Sequence, residues 1–398
     1  MLWLNSKSDR PDFGWFRNFL NARSAEGIRV ERPEEKVRNA EMLAGEAAKW
    51  LRDECGIANP NSPKQITDYM ASIVDANIET YCYDRFKNKF SSAEDGLVEL
   101  ANLDYKWAMQ ILKYRASAGV IKNVTSIMGC SDMKGLIHPE ISFQKTNRVS
   151  YTGPALMNIN KEILWDTIKP LKAGNYLWSA DIKNQEPWIL AHMTGASKLI
   201  ELAAKASDAG CSLYKAVYED IFGTAIESEE AYGEMKMAWN MLTYGGSIQG
   251  LRQRCKVIDP DKVYTYFNGI KELSDYRGRT FGLARKNINS VMTVFGTTVS
   301  TDAVGSHLQR SLMDIPIQGT GADILCMLVH HITKELAEMG IADKIKVYFT
   351  RHDEIIFEVN KDWQEEMGIE AIKEIIAELA RHRIDDWTEF GIDVEQVS

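Results

Sequence analysis

Residues Lys346 to Asn360 read "KVYFTRHDEIIFEVN", two apolar, β-prone runs with four charged or titratable residues between them. Val347, Phe349, Ile355, Phe357 and Val359 alternate as a half-buried pair of strands requires. The break between the runs lacks the Asn-Gly or Asp-Gly dipeptide of the commonest tight hairpin turn. Arg351, His352, Asp353 and Glu354 are therefore read as placed for chemistry rather than for turn geometry.

The rest of the chain bounds that chemistry. At 398 residues it exceeds the size at which one core stops growing, so two or three subdomains are expected. With 45% hydrophobic and 26% charged residues, the composition is that of an ordinary globular protein. No uninterrupted apolar run approaches the roughly 20 residues that cross a bilayer. The N-terminus, "MLWLNSKSDRPDFGWFRNFL", has early acids and no apolar core with a small-residue cleavage site, so neither a secretory signal nor a transit peptide is expected, and no membrane partner is expected either. The six cysteines are scattered, without a CxxC pair, which reads as reduced thiols in a cytoplasmic protein. A formal net charge of −9 argues against wholesale coating by nucleic acid, but leaves room for a local basic groove.

Helical patterns dominate the first third. "PEEKVRNAEMLAGEAAKWLRDE" ends before Gly56, and Ser62 with Pro63 starts another helix. "SSAEDGLVELANLDYKWAMQILKYRASAGVIKNV" reads as at least one long amphipathic helix. From about Phe143 the period changes: "NYLWSAD" reads as a strand, and "EPWILAHMTG" as a helix stopped by Gly195. "SEEAYGEMKMAWNMLTYGG" is a helix started by Ser228 and stopped by Gly245 and Gly246. "VMTVFGTTVS" is strand-like, "GADILCMLVHHITKELAEMG" is a buried helix, and "WQEEMGIEAIKEIIAELARHRI" is the last element. Few strands, far apart and separated by helices, predict an α+β fold with a small antiparallel sheet.

Three local patterns carry chemistry. Asp181 ends the strand "YLWSA" and Asp353 sits at the bend of the hairpin, so rigid strands hold two hard oxygen donors. Such a pair suits two magnesium ions about 3.5–4 Å apart, clamping the attacking and leaving oxygens of a phosphoryl transfer. The bland alternative is two turn aspartates. Tyr232, Lys236, Asn240 and Tyr244 recur every fourth residue and share a stripe of their helix, where the lysine can hold a triphosphate and a ring can stack on a base. The same stripe could instead pack on a neighbour with Lys236 reaching to water. In "RSLMDIPIQGTGADI", Pro316, Gly319 and Gly321 break the pattern before a helix and constrain Gln318, which either reads a DNA minor groove or caps that helix.

Together these segments resemble, in order and spacing, the polymerase region of the DNA polymerase I family, family A. "SADIKNQEPWILAHMTG" is similar to its first catalytic motif, "KMAWNMLTYGG" to its nucleotide-binding helix, "DIPIQGTGADI" to the segment with the minor-groove glutamine, and "RHDEIIFEV" to its His-Asp-Glu motif. "TNRVSYTGPALMNI", "ILKYRASAGV" and "GIRVERPEEKVRNAE" extend the resemblance upstream to about Gly27. The resemblance implies a right-hand polymerase fold: a helical lead-in over 1–60, a thumb over 61–135, a palm over 136–205 and 291–398, and fingers over 206–290. It implies template-directed DNA synthesis on a primer-template from deoxynucleoside triphosphates. Asp181, Asp353 and the Ile182 carbonyl would hold two Mg²⁺ ions, and Glu354 would belong to the catalytic triplet. Lys236 would bind the triphosphate, and Glu186 and Tyr244 would exclude ribonucleotides. His352 would position the primer-end phosphate, while Arg148, Asn158, Arg310, Gln318 and Arg115 would contact DNA; Arg351, which departs from the family, is expected on its own account to touch nucleic-acid phosphate.

Several positions depart from the family. Tyr232 stands where an arginine is usual and Tyr214 where a histidine is, which leaves neighbouring Lys215 as the substitute cation. Asn240 replaces a common aromatic, Asp314 a common asparagine, and Arg351 an apolar residue. Nearly the whole chain is taken up by the resemblance, so no proofreading exonuclease is expected, and nuclease or other replication functions would fall to separate proteins. The chain is expected to be a monomer in the cytoplasm of a bacterial or phage-infected cell. A single-subunit RNA polymerase is disfavoured by Glu186 and the His352-Asp353-Glu354 triplet, and a two-metal nuclease by the nucleotide-binding helix. A weakly catalytic DNA-binding replication factor is disfavoured by retention of both aspartates, Lys236 and Tyr244.

Overall fold

The two alternating runs pair with each other and recruit two further strands. The computed structural model describes residues 1–84, 87–387 and 389–397. Tyr176–Ile182 (β1), Ile345–Arg351 (β2), Glu354–Val359 (β3) and Ile392–Gln396 (β4) form one antiparallel sheet in the order β2-β3-β1-β4. Every residue of β3 is buried, which is why its sequence is apolar almost throughout rather than strictly alternating. The turn is tight after all: only His352 and Asp353 lie between β2 and β3. His352 takes a left-handed φ of 53°, a conformation that favours glycine and stores strain at a side chain.

The fourth strand has no counterpart in the sequence reading, where the C-terminal helix is the last element. That helix is two, Lys361–Met367 and Ile369–Ala380, parted at Gly368 with a φ of 86°, and β4 follows them. A column of flat side chains guides the chain to this edge. His192 stacks on Trp387 at 4.7 Å, and Phe390 packs against both Trp188 and His382. Burial pushes the His192 and His382 imidazoles down to about 4, so both are neutral apolar plates at physiological pH. The contact holds the segment before β4 against the Gln185–Thr194 helix that leaves β1.

Gly305–Glu338 is a single 34-residue helix, a departure from the expected break at Pro316, Gly319 and Gly321. Proline withholds one backbone hydrogen bond and costs roughly 3 kcal/mol. Burial of Leu312, Met313, Ile317, Ile324 and Leu328, each contributing about 1.5–3 kcal/mol, outweighs that local cost. By length and composition this helix could cross a membrane, yet 83% of its most apolar window is buried inside the fold, so it serves as a core helix.

The glycines in it are packing residues. A Cβ on Gly319 would come within 2.8 Å of Thr293 Cγ2, and one on Gly321 within 2.4 Å of Gln185 Oε1. Gln185 is itself buried, one residue before Glu186. Gly321→Ala is therefore expected to destabilise by about 1–3 kcal/mol in denaturant unfolding, as overpacking does. Gly282→Ala, also in a helix but with open space where a Cβ would go, is the control and should gain about 0.5–1 kcal/mol. Equal effects would rule out the steric account.

Two compact units divide the chain: Met1–Ile28 with Pro139–Met157 and Pro170–Ser398, and Arg29–His138 with Asn158–Lys169. The second is helical. Glu34–Cys55 ends on left-handed Gly56, and Ser62 caps a helix that begins with Pro63, as the spacing predicts. The long pattern after Ser91 resolves into Glu94–Asn102 and Lys106–Met128, and Ile66, Met70, Leu97, Leu100, Trp107 and Ile111 share its core.

Candidate active site

Register sets the carboxylates. Asp181 on β1 lies directly opposite Glu354 on β3 and directly opposite Asp393 on β4, so three acids form a row on one face of adjacent strands. Like charges directly opposite one another repel, so such a row needs cations. Arg351 lies 3.7 Å from Glu354, and Lys183 lies 3.6 Å from Asp393. Asp353 projects from the adjacent turn, whose backbone is tied to the strand end by Ile182 N donating to the Asp353 carbonyl at 3.3 Å. Burial pushes the Asp353 carboxyl up from its ordinary value, with the nearby Glu186 charge adding to it and Arg148 and His352 opposing it. Strained His352 is held by Nε2 at 3.1 Å from the Met157 carbonyl.

Glu354 does not share the cavity with the aspartates. Only 2% exposed, it accepts a hydrogen bond from the Ser179 hydroxyl and pairs with Arg351, itself mostly buried. Cross-strand partners share a face, so Glu354 and Arg351 lie on the face of Asp181 but are covered by one another and by Ser179, while Asp353 in the turn lines the cavity with Asp181. Glu354, expected in catalysis, and Arg351, expected at nucleic-acid phosphate, are thus found in an ion pair with each other beside the cavity.

The nucleotide-binding stripe belongs to the Glu229–Thr243 helix, with Ser228 as its cap and Tyr244 just past its end. Trp239, on its buried face, packs at 5.3 Å against Phe267 and at 5.8 Å against Tyr214. That anchor leaves Lys236 and Asn240 exposed and Tyr232 half-buried, contrary to the reading of the stripe as a packing surface. Lys215 places its ammonium 5.7 Å from the centre of the Tyr232 ring. Past β1, left-handed Asn184 starts the Gln185–Thr194 helix, whose first turn carries Glu186. Glu186 is clamped: Arg148 pairs with Oε1 and the Tyr244 hydroxyl donates to Oε2 at 3.0 Å. Burial pushes the phenols of Tyr244 and Tyr214 well up, so both stay protonated. Burial, and then the charge of Glu186, push Asp314 beside them up to about 6.

These elements enclose a cavity of about 750 Å³ lined by Asp181, Ile182, Asp353, Arg148, Glu186, Tyr214, Tyr232, Lys236, Asn240 and His352, together with Lys215 and Asp393. Lys236 and Asn240 also line a second cavity of about 970 Å³ with Tyr244 and Arg310. Gln318, Glu354 and Arg351 line neither of these two cavities. Asn158 and Arg115 belong to the other unit, where Arg115 donates to the Ser92 carbonyl at 2.7 Å. Sequence reasoning missed Asp393, Lys183 and Ser179. Only Asp393 left a trace, as one polar position in the alternating "IDVEQ". Asp181, Asp353 and the Ile182 carbonyl fit magnesium: all are hard oxygen donors, the row of acids calls for positive charge, and Asp353 is half-buried. No cluster of three or more ligating side chains occurs among the described residues.

A four-stranded antiparallel sheet with aspartates at its active edge, faced by a helix that presents a lysine across a cavity, defines the fold of the right-hand polymerases. A family model, DNA polymerase family A, matches residues 33–387, and the chain belongs to that family. It is 25% identical over 369 residues to DNA polymerase I of Rhizobium leguminosarum, covering 84% of this chain and 34% of that protein. It is 27% identical over 300 residues to DNA polymerase I of Mycobacterium tuberculosis, covering 69% of this chain and 32% of that protein. The chain thus spans roughly a third of the length of these curated relatives. Among solved structures, the POL domain of Pol1 from M. smegmatis, in complex with DNA primer-template and dNTP, matches with a TM-score of 0.78 at 22% identity. The match covers 96% of this chain and 68% of that one.

Proposed function

We propose that this chain adds deoxynucleoside triphosphates to the 3′-hydroxyl of a primer annealed to template DNA. The observation that carries the reading is the single cavity that gathers Asp181 and Asp353 from the sheet, Lys236 from the facing helix, and Glu186 at its wall. A nuclease has no use for the triphosphate side of that cavity. The likeness to a polymerase domain solved with primer-template and dNTP supports the same substrates here.

Asp181, Asp353 and the Ile182 carbonyl would hold two Mg²⁺ ions, which when bound make the primer hydroxyl more acidic and neutralise charge on the triphosphate. Lys236 supplies a fixed positive charge to the phosphate tail and a proton for the departing pyrophosphate. His352, fixed by the Met157 carbonyl, orients the primer end. We assign fingers to 206–290, palm to 136–205 and 291–398, and thumb to 61–135, and Arg115 and Asn158 keep the DNA-contact roles that the family resemblance implies. Glu354 takes a positioning role, holding Arg351 and Ser179 beside Asp181.

The test is a 5′-labelled primer-template with Mg²⁺ and either deoxy- or ribonucleotides. Extension with deoxynucleotides alone is expected; primer shortening or mere binding would overturn the reading. Lys215 is assigned the phosphate contact that the tyrosines at 214 and 232 cannot make. Lys215→Ala should raise the deoxynucleotide KM about 3- to 10-fold with kcat little changed, the range for one solvent-exposed ionic contact. An unchanged KM would remove Lys215 from the site.

A further inference from the structure

Lys183 immediately follows β1, and its backbone carries the pairing with β4 one rung further. Lys183 N donates to the Gly391 carbonyl at 2.8 Å, one step beyond the Ile182–Ile392 pair. Side chains two residues apart in extended chain share a face, so Lys183 lies on the face of Asp181 and diagonally across from Asp393. Its stem is laid along Gly391, where an added Cβ would touch Lys183 Cβ at 3.6 Å and Cδ at 3.8 Å. Its ammonium stands 3.6 Å from Asp393 Oδ1, too far for a hydrogen bond. Both residues line the cavity together with Asp181, Lys215 and Lys236.

The pair is easily parted. Side chains that are 40% and 68% exposed gain little from such a contact. A triphosphate brings several negative charges, and an ammonium binds phosphate as a point charge. Two placements identify the anion that Lys183 meets. In the chain, Lys183 falls between Asp181 and Ile182, assigned to the metal ions, and Glu186, assigned to the sugar, and the phosphates of a nucleotide join those two ends. In the sheet, the order β2-β3-β1-β4 sets Asp393 on the opposite side of β1 from the turn that carries His352, the residue assigned to the primer end.

On the assignment of polymerase function above, we propose that Lys183 is a further cation for the phosphate tail, beside Lys236 and Lys215, held by Asp393 until a nucleotide arrives. The ammonium then exchanges carboxylate for phosphate, so Asp393 and the incoming triphosphate compete for it. Charge lost at 183 therefore weakens nucleotide binding, and charge lost at 393 strengthens it. A pair that only ties β4 to β1 has no such opposition of sign.

The test uses a primer-template whose primer ends in a dideoxynucleotide, so that the next nucleotide binds with Mg²⁺ but is not incorporated, and affinity is read without turnover. Lys183→Met keeps the stem and drops the charge. It is expected to raise the Kd of the matching deoxynucleoside triphosphate about 3- to 10-fold, while Asp393→Asn lowers it about 2- to 4-fold. In the Lys183→Met background, Asp393→Asn should change Kd by less than about 1.5-fold, because the competition has lost its object. Inorganic tripolyphosphate, displacing the nucleotide, should follow the same pattern, since the contact is to phosphate alone. An unchanged Kd in Lys183→Met, weaker binding in Asp393→Asn, an equal gain from Asp393→Asn in both backgrounds, or a tripolyphosphate affinity indifferent to position 183 would each overturn the proposal. No primer extension by the wild type removes the polymerase reading and the proposal with it, whereas extension together with any of those results removes the proposal alone.

Discussion

Asp353→Asn is expected to lower the rate of primer extension by about a thousandfold or more, with little change in fold or in affinity for a primer-template. The side chain keeps its size and one oxygen but loses the charge. Two half-buried carboxylates lining one cavity favour a cation between them, and the amide gives that cation a much weaker ligand. A thousandfold loss corresponds to about 4 kcal/mol of transition-state stabilisation, within the several kcal/mol attributed to metal-assisted charge neutralisation. Steady-state extension alongside a primer-template binding curve separates the effects. Activity within tenfold of wild type would exclude Asp353 as a ligand.

The neighbouring acid should behave oppositely. Glu354 is buried, hydrogen-bonded by Ser179 and paired with Arg351, so its removal breaks a buried ion pair rather than emptying a metal position. The loss belongs to folding, where breaking a buried pair costs about 3–5 kcal/mol. Two adjacent carboxylates of one sequence triplet thus report on different links, one on chemistry and the other on the rigidity of the strand beneath it.

That division could not be read from "RHDE" alone, because the face each residue takes depends on where the turn begins. A hairpin turning on His352 and Asp353 puts Glu354 in the first strand position and inside; a turn placed one residue later would bring it out. The hairpin itself was legible, since its alternation is local, and so were the helix ends at Ser62, Gly56, Gly195 and Ser228, where capping is a matter of a few adjacent residues. Strand Ile392–Gln396 was not legible. It is short and largely polar, and it exists because β1 offers a partner edge and the Trp387–His192 contact delivers the chain to it. Pro316 misled for a related reason: a local rule predicted a break, and burial distributed along the helix overrode it. Lys236 was found through its period, but its distance from Asp181 in the chain meant that only the fold, or a family resemblance, could bring both to one cavity.

Replacing Glu186 with alanine is expected to raise ribonucleotide incorporation relative to deoxynucleotide by about 10- to 100-fold while leaving deoxynucleotide kcat/KM within a few-fold. A ribonucleotide differs from its deoxy counterpart by one hydroxyl, and a site that merely tolerates that group gains little discrimination. Discrimination requires something immovable where the hydroxyl would go. Glu186 is immovable because Arg148 grips one oxygen and Tyr244 the other, and both partners are part-buried. Forcing an extra group against such a side chain costs about 1–3 kcal/mol, which is the 10- to 100-fold range. Glu186→Gln separates crowding from charge. The amide oxygen can still accept from Tyr244, while the attraction of Arg148 is lost, so the side chain stays in place more loosely and an intermediate ratio is expected. Competition assays with both nucleotides at a single template position give the ratio directly. If alanine and glutamine relaxed selection equally, the carboxylate would act through its charge on Arg148, and the clamp would not be the source of the selectivity.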